Sequence, residues 1–282
     1  EGNAPEAWPL YVGRMIHHYD HRHASVTVNE DNLHNAASGA LLTAANKADP
    51  ACFPEPQYRI VVGEAEPCRA WSIGFRDIAR ATDMRTMIAS ILPGTLAGNT
   101  LPLLLPHTDE DEQAYIAAAP LLLANLNSLA FDYIARQKAQ TTHLNWYILE
   151  QLPVIAPEAF EYDIGDTRIA DFIRAEVLAL SYTAHDLAPF ARDIGHVDAE
   201  DEVLPPFVWD AEDRAQRLAR LDALFFHLYG FSAKEVDYVL STFPIVREQE
   251  IKAHGRFVSR ERILAQLQRI EAGQLDHSDI QP

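Results

Sequence analysis

A chain of 282 residues with 48% hydrophobic and 23% charged residues has the make-up of a globular protein long enough for one large domain or two modest ones. It contains no run of about 18 apolar residues, which argues against a membrane span. Its formal net charge of −18 argues against binding nucleic acid through backbone attraction alone. Residues 1–156 hold 10 Lys/Arg against 17 Asp/Glu and residues 157–282 hold 13 against 24, so neither half is basic. Local departures exist. Arg69, Arg76, Arg80 and Arg85 outnumber Asp77 and Asp83, and the stretch 132–149 has one acid, Asp132. Two cysteines, Cys52 and Cys68, fit plain thiols in a reducing cytoplasm. The N-terminus, EGNAPEAWPL, has neither a start methionine nor a signal-peptide pattern, so the piece reads as a fragment of a longer chain.

In chain order, Tyr11–Ser25 is expected to be a strand, with His17, Tyr19, His21 and His23 on one face and His18, Asp20 and Arg22 on the other. Residues 29–57 are poor in pattern, and Leu33–Lys47 is open between a short helix and an insertion. Tyr58–Val62, Trp71–Phe75 and Thr86–Leu92 read as strands, and Leu101–Leu105, flanked by prolines, as an edge or extended segment. Leucines and aromatics at three- and four-residue intervals from Leu122 to Ile134 predict a helix. Pro120 is placed in its first turn, and Arg136 and Lys138 at its C-terminus. A polar turn, Gln140 to His143, leads into an expected strand, Leu144–Leu149, stopped by Pro153 and Pro157. Helices are then predicted over Asp166–Leu180, Glu212–Tyr229, Lys234–Thr242 and Glu261–Ala272. Ser232 with Glu235 forms a capping pattern, Ser259 opens the last helix, and Gly230 and Gly273 close two of them. Pro244 is read as ending the third. The pattern predicts an α+β fold. A curved mixed β-sheet with a packed helix occupies residues 1–157, and a helical C-terminal appendage occupies 158–282.

The stretch LANLNSLAFDYIARQKAQTTHLNWYILEQLPV resembles the C-terminal target-recognition region of bacterial adenine-specific DNA methyltransferases. More narrowly, it is similar to the large fused restriction–modification (type IIG-like) enzymes in which nuclease, methylase and DNA-reading parts share one chain. The shared features are Asn127-Ser128, Phe131, Arg136-Gln137-Lys138, Thr142 to Asn145 and Gln151-Leu152-Pro153. Residues 11–25, including Asp20-His21-Arg22, and residues 71–106 and 221–250 agree with it. The resemblance implies a sequence-reading module of a restriction–modification or phage-defence system. It implies double-stranded DNA as ligand, and an upstream methyltransferase domain of the same chain as partner. S-adenosylmethionine is implied for that domain and no cofactor for this fragment. The residues expected on DNA are Arg22, Arg76, Arg80, Arg136, Lys138, Thr141, Thr142, His143 and Asn145. Each has a blander reading: ion pairs with Asp77 and Asp83 for Arg76 and Arg80, turn formers for the polar residues, and core for Trp146 and Tyr147.

Catalysis by this stretch is not expected. An adenine methylase needs an Asn/Asp-Pro-Pro-aromatic loop and a glycine-rich cofactor turn, whereas Pro205-Pro206-Phe207 follows Leu204 and no such turn occurs. Two other readings stay open. One is an acidic helical protein–protein interaction module that never touches DNA. The other is a stand-alone hydrolase or metalloenzyme built on the histidine-rich strand.

Overall fold

The computed structural model describes residues 7–26, 39–80, 82–108, 111–139 and 142–275. The protein is α+β. In chain order the elements are β1 (Ala7–Tyr11), β2 (Ala24–Val26), β3 (Gly39–Leu41), α1 (Ala44–Ala48), β4 (Tyr58–Val61), β5 (Trp71–Phe75), β6 (Ala89–Pro93), β7 (Leu96–Ala97), β8 (Leu103–Leu104), α2 (Glu112–Asn127), α3 (Leu129–Lys138), α4 (Trp146–Leu149), β9 (Asp163–Ile164), β10 (Thr167–Arg168), α5 (Ile169–Ser181), α6 (Ala188–Asp193), α7 (Ala211–Leu228), α8 (Ala233–Ser241), α9 (Pro244–His254) and α10 (Val258–Glu271). They form two compact units, each assembled from three separate stretches of chain. The first takes residues 1–78, 88–116 and 180–209, and the second takes 79–87, 117–179 and 210–282. Packing thus groups the chain differently from a single linear boundary after residue 157.

In the first unit β1 pairs antiparallel with β4 and parallel with β7, a small mixed sheet, while β5 is central between β6 and β8. All five residues of the central strand β5 are buried, and so are all five of β6 at the edge of the same sheet, both strands being rich in aliphatic or aromatic side chains. Trp71 stacks on Tyr115 at 5.3 Å, meets Phe190 edge-on at 5.0 Å, and donates its indole N–H to Asp193 at 2.6 Å. Tyr11, Met15, Ile16, Val26, Leu92 and Leu101 form a second apolar cluster.

The expected strand Tyr11–Ser25 is not one. Gly13–Met15 is a turn of 3-10 helix, His17 and Asp20 bridge across a tight turn, and Tyr19 has a left-handed φ of 55°. Strand alternation therefore fails there, and the reason is polar. Asp20 accepts from the Arg22 N–H at 3.0 Å and pairs with the buried Lys47 ammonium. The Arg22 guanidinium donates to the carbonyls of Lys47, Asp49, Cys52 and Thr183 at 2.8–3.0 Å. His21 pairs with Asp186 at 2.9 Å. Burial pushes His23 down to about 4 despite the opposing pull of Asp20, so the ring is neutral at pH 7. Among the described residues no group of three or more His, Cys, Asp or Glu is arranged to hold a metal ion. Cys52 and Cys68 are free thiols.

The second unit is mostly helical. The stretch read as one helix from Pro120 is two. α2 begins two turns earlier, so Pro120 lies inside it, and a 65° bend separates α2 from α3. Ser128 forces the break by capping α3, its hydroxyl accepting from the Phe131 N–H at 3.2 Å. α10 packs on α7 and α8, and α3 lies against α7. Phe172, Phe225, Phe226, Val236, Val239, Ile263 and Leu267 are sealed among them, each buried side chain of this size contributing about 1.5–3 kcal/mol. α8 carries the expected capping box, Ser232 with Glu235, and Gly230 and Gly273 take left-handed φ values after α7 and α10. Pro244 opens α9 as well as ending α8, its missing N–H harmless in a first helical turn. Ser259 lies inside α10, bonded to Glu250. Among the described residues no single helix is long and apolar enough to cross a membrane.

The start of α3 gives a pH prediction. Asp222 accepts from the Leu129 N–H at 2.7 Å, and burial pushes its carboxyl up to about 6, against the opposing pull of Arg85 and of that N–H. The folded chain thus holds this proton more tightly than the unfolded one. The stabilisation is full below about pH 4 and is lost as pH rises through about 6. Asp222→Asn keeps the acceptor and removes the charge. Between about pH 4.5 and 7.5, urea unfolding should show roughly 2 kcal/mol less loss of stability in the variant than in the parent; equal losses would contradict it.

Candidate nucleic-acid interface

The elbow after α3, residues 137–139 and 142–147 of those described, belongs to the second unit. Its base is Asp132, a carboxylate with no exposure. One oxygen accepts from the Thr86 and Met87 N–H groups at 2.8 and 2.7 Å. The other pairs with Arg85 at 2.9 Å and Arg136 at 3.5 Å. Three hydrogen-bond donors and a second cation replace the lost water, so the carboxylate tethers segment 79–87 to α3. Arg85 also donates to the Asn127 carbonyl, at the α2–α3 break. A further backbone bond, Ala79 N–H to the Thr142 carbonyl at 3.0 Å, fixes the elbow beside Arg80.

Beyond it, Leu144, Ile148 and Leu152 are buried, at four-residue spacing, and hold residues 144–152 to the core. That is a helical interval, and Trp146–Leu149 is a helical turn in place of the expected strand. Residues before and between the anchors turn outward: Thr142, His143 and Asn145 are exposed, and Trp146 and Tyr147 are 46% and 58% exposed. Asn145 occupies the N-cap position without a side-chain capping bond, so its amide is not consumed by the helix. From Tyr133 to Leu149 the sequence has no carboxylate, and the nearest acid before it, Asp132, is sealed inside.

The structure sorts the residues expected on DNA into three groups. Arg80, Lys138, Thr142, His143 and Asn145 lie exposed in one unit, on or beside the elbow. Three arginines are corrected. Arg22 has no exposure and is occupied by four carbonyl groups. Arg76, in the first unit, clasps the Ile16 carbonyl through two nitrogens. The Arg136 side chain is 8% exposed and donates to the Asp83 and Met84 carbonyls at 2.7 Å each, with its guanidinium 4.2 Å above the Phe243 ring. Burial pulls its pKa down from the ordinary arginine value, opposed by Asp132. A basic residue near a helix end reads alike from sequence whether it faces solvent or caps a loop, and here loop carbonyls took these three. Thr141 lies outside the described residues.

Trp146 and Tyr147 were expected in the core and are additions to the face. Their signal was the Leu144–Ile148–Leu152 spacing, which on a helix leaves both rings outside. Comparison with models of known protein families, with curated proteins and with solved structures returns no match.

Asp132→Asn should unfold about 3–5 kcal/mol more easily in urea, since it leaves two guanidinium groups without their carboxylate. Lys138→Ala should stay within about 0.5 kcal/mol of the parent. A loss below 1 kcal/mol for Asp132→Asn, on the order of a surface pair, would show that the carboxylate does not hold the elbow.

Proposed function

We propose that this chain is a sequence-reading module for double-stranded DNA and that the elbow of the second unit is its reading face. The observation that carries the reading is that Gln137, Lys138, Thr142, His143, Asn145, Trp146 and Tyr147 are exposed along a stretch whose sequence holds no acid, on a protein of net charge −18. Among the described residues the side chains of Arg80, Lys138, Thr142 and Asn145 have no hydrogen-bond or ion-pair partner. Two of these groups suit phosphates, and two suit the donor and acceptor edges of bases. Asp132 and the buried leucine spacing hold them on rigid backbone, as readout of a fixed groove requires. On this reading the module serves an adenine-specific methyltransferase of a restriction–modification or phage-defence system, in the cytoplasm. S-adenosylmethionine and the base-flipping loop belong to a catalytic domain of the same chain. The acidity elsewhere limits non-specific attraction, so affinity for duplex rests on few contacts and on that partner domain.

Anisotropy titration of duplex DNA across a salt series tests this. Replacing Arg80 and Lys138 by Gln should weaken binding to all sequences alike. Each lost phosphate contact should flatten the logarithmic salt dependence by about 0.9. In the chain joined to its catalytic domain, Thr142→Ala or Asn145→Ala should broaden the set of methylated adenine sites. Unchanged binding in the first pair and an unchanged site in the second would remove the elbow from any role in DNA reading.

A further inference from the structure

The second unit also has an open cleft of about 520 Å³ between α8, α9 and α10. That is within the usual range of small-ligand sites, about 300–1,000 Å³. Three cations line it, Lys234 on α8, Arg247 on α9 and Arg260 on α10, against one carboxylate, Asp237. Asp237 is already held by Arg260, so it adds little repulsion for an incoming anion. Lys234 and Arg247 are exposed, and among the described residues neither side chain has an ion-pair or hydrogen-bond partner. Two rings border the same space, Tyr238, which is 63% exposed, and the half-buried Phe257.

In a chain with nearly two acids for each base, a cleft with excess positive charge and an uncovered aromatic face calls for a ligand that is both anionic and planar. Arg247 offers a planar fork of donors and Lys234 a compact charge, the two ways proteins hold phosphoryl oxygens. Tyr238 offers a face on which a heterocycle stacks without sequence preference. An acidic peptide would satisfy the cations and leave the rings bare. An apolar ligand would leave the cations without partners.

We propose that this cleft binds a nucleotide unit, its phosphate between Lys234 and Arg247 and its base against Tyr238. The unit comes either from a free nucleotide or from a strand of nucleic acid. Titration of the intact chain with ATP, a short single-stranded thymidine oligonucleotide and inorganic phosphate tests the proposal and separates the sources. Saturable binding of ATP assigns a free nucleotide; saturation with the oligonucleotide alone assigns a strand. In either case Arg247→Glu and Tyr238→Ala should each weaken binding about tenfold. Both replace exposed side chains, and circular dichroism should show the helices intact.

The proposal is overturned if neither nucleotide probe saturates. It is also overturned if Tyr238→Ala binds as the parent does while inorganic phosphate competes fully, which would leave a plain anion site. None of the residues that line the cleft belongs to the elbow. Replacing Lys138 by Gln should weaken duplex binding and leave ATP or oligonucleotide affinity unchanged, so either site can fail without the other.

Discussion

A charged group shut away from water survives only if the chain supplies, from fixed positions, the partners that water would have offered. Asp132 is met in this way by two backbone N–H groups and two arginines. These donors come from segment 79–87 and from α3 itself, so one side chain sets the separation between them. The exposed elbow inherits its position from that arrangement. The same rule governs Arg22 in the first unit, with carbonyl groups as partners. It also governs Glu176 between Arg217 and Arg220, where burial raises the carboxyl's pKa against the pull of both arginines.

This use of cations explains how a protein so acidic can still present basic surface. Arg22, Arg85, Arg136, Arg217 and Arg220 are committed inside or at the edge of the two units, where they satisfy carbonyls and carboxylates. Many other arginines sit in ordinary exposed pairs such as Arg168 with Glu161. Arg80 and Lys138 near the elbow, and Lys234 and Arg247 at the cleft, lack such partners among the described residues. The sign of a local surface therefore depends on which cations are unengaged, and overall charge is a poor guide to it.

Elements stabilised by their own sequence were the legible ones. β5 was readable from Trp71 to Phe75 because its residues suit a pleated strand and turns flank it. α8 was readable from Ser232 and Glu235, whose bonds lie within four residues. Where distant partners decide, local pattern failed. The turn at residues 17–23 obeys Asp20, Lys47 and Thr183, far apart in the chain. α4 looked like a strand because its aromatic run hides the four-residue spacing of its anchors. α9 carries no separate start signal in the sequence because Pro244 both stops one helix and starts the next. Of the expected face, the exposed residues of the elbow were readable from the polar turn. The buried arginines were not, since a guanidinium carries no mark of whether solvent or carbonyls will meet it.

Each unit draws on three stretches separated in the chain, which has a consequence for how the protein is made. During synthesis residues 79–87 leave the ribosome long before α10, yet both belong to the second unit. Neither core can close by consolidating a contiguous N-terminal stretch. Loops of considerable length must be drawn shut first, which slows folding and lengthens the exposure of apolar helices. A nascent chain cut short before residue 258 would still contain every residue of the elbow, but without α10, the helix that packs on α7 and α8 and completes the unit.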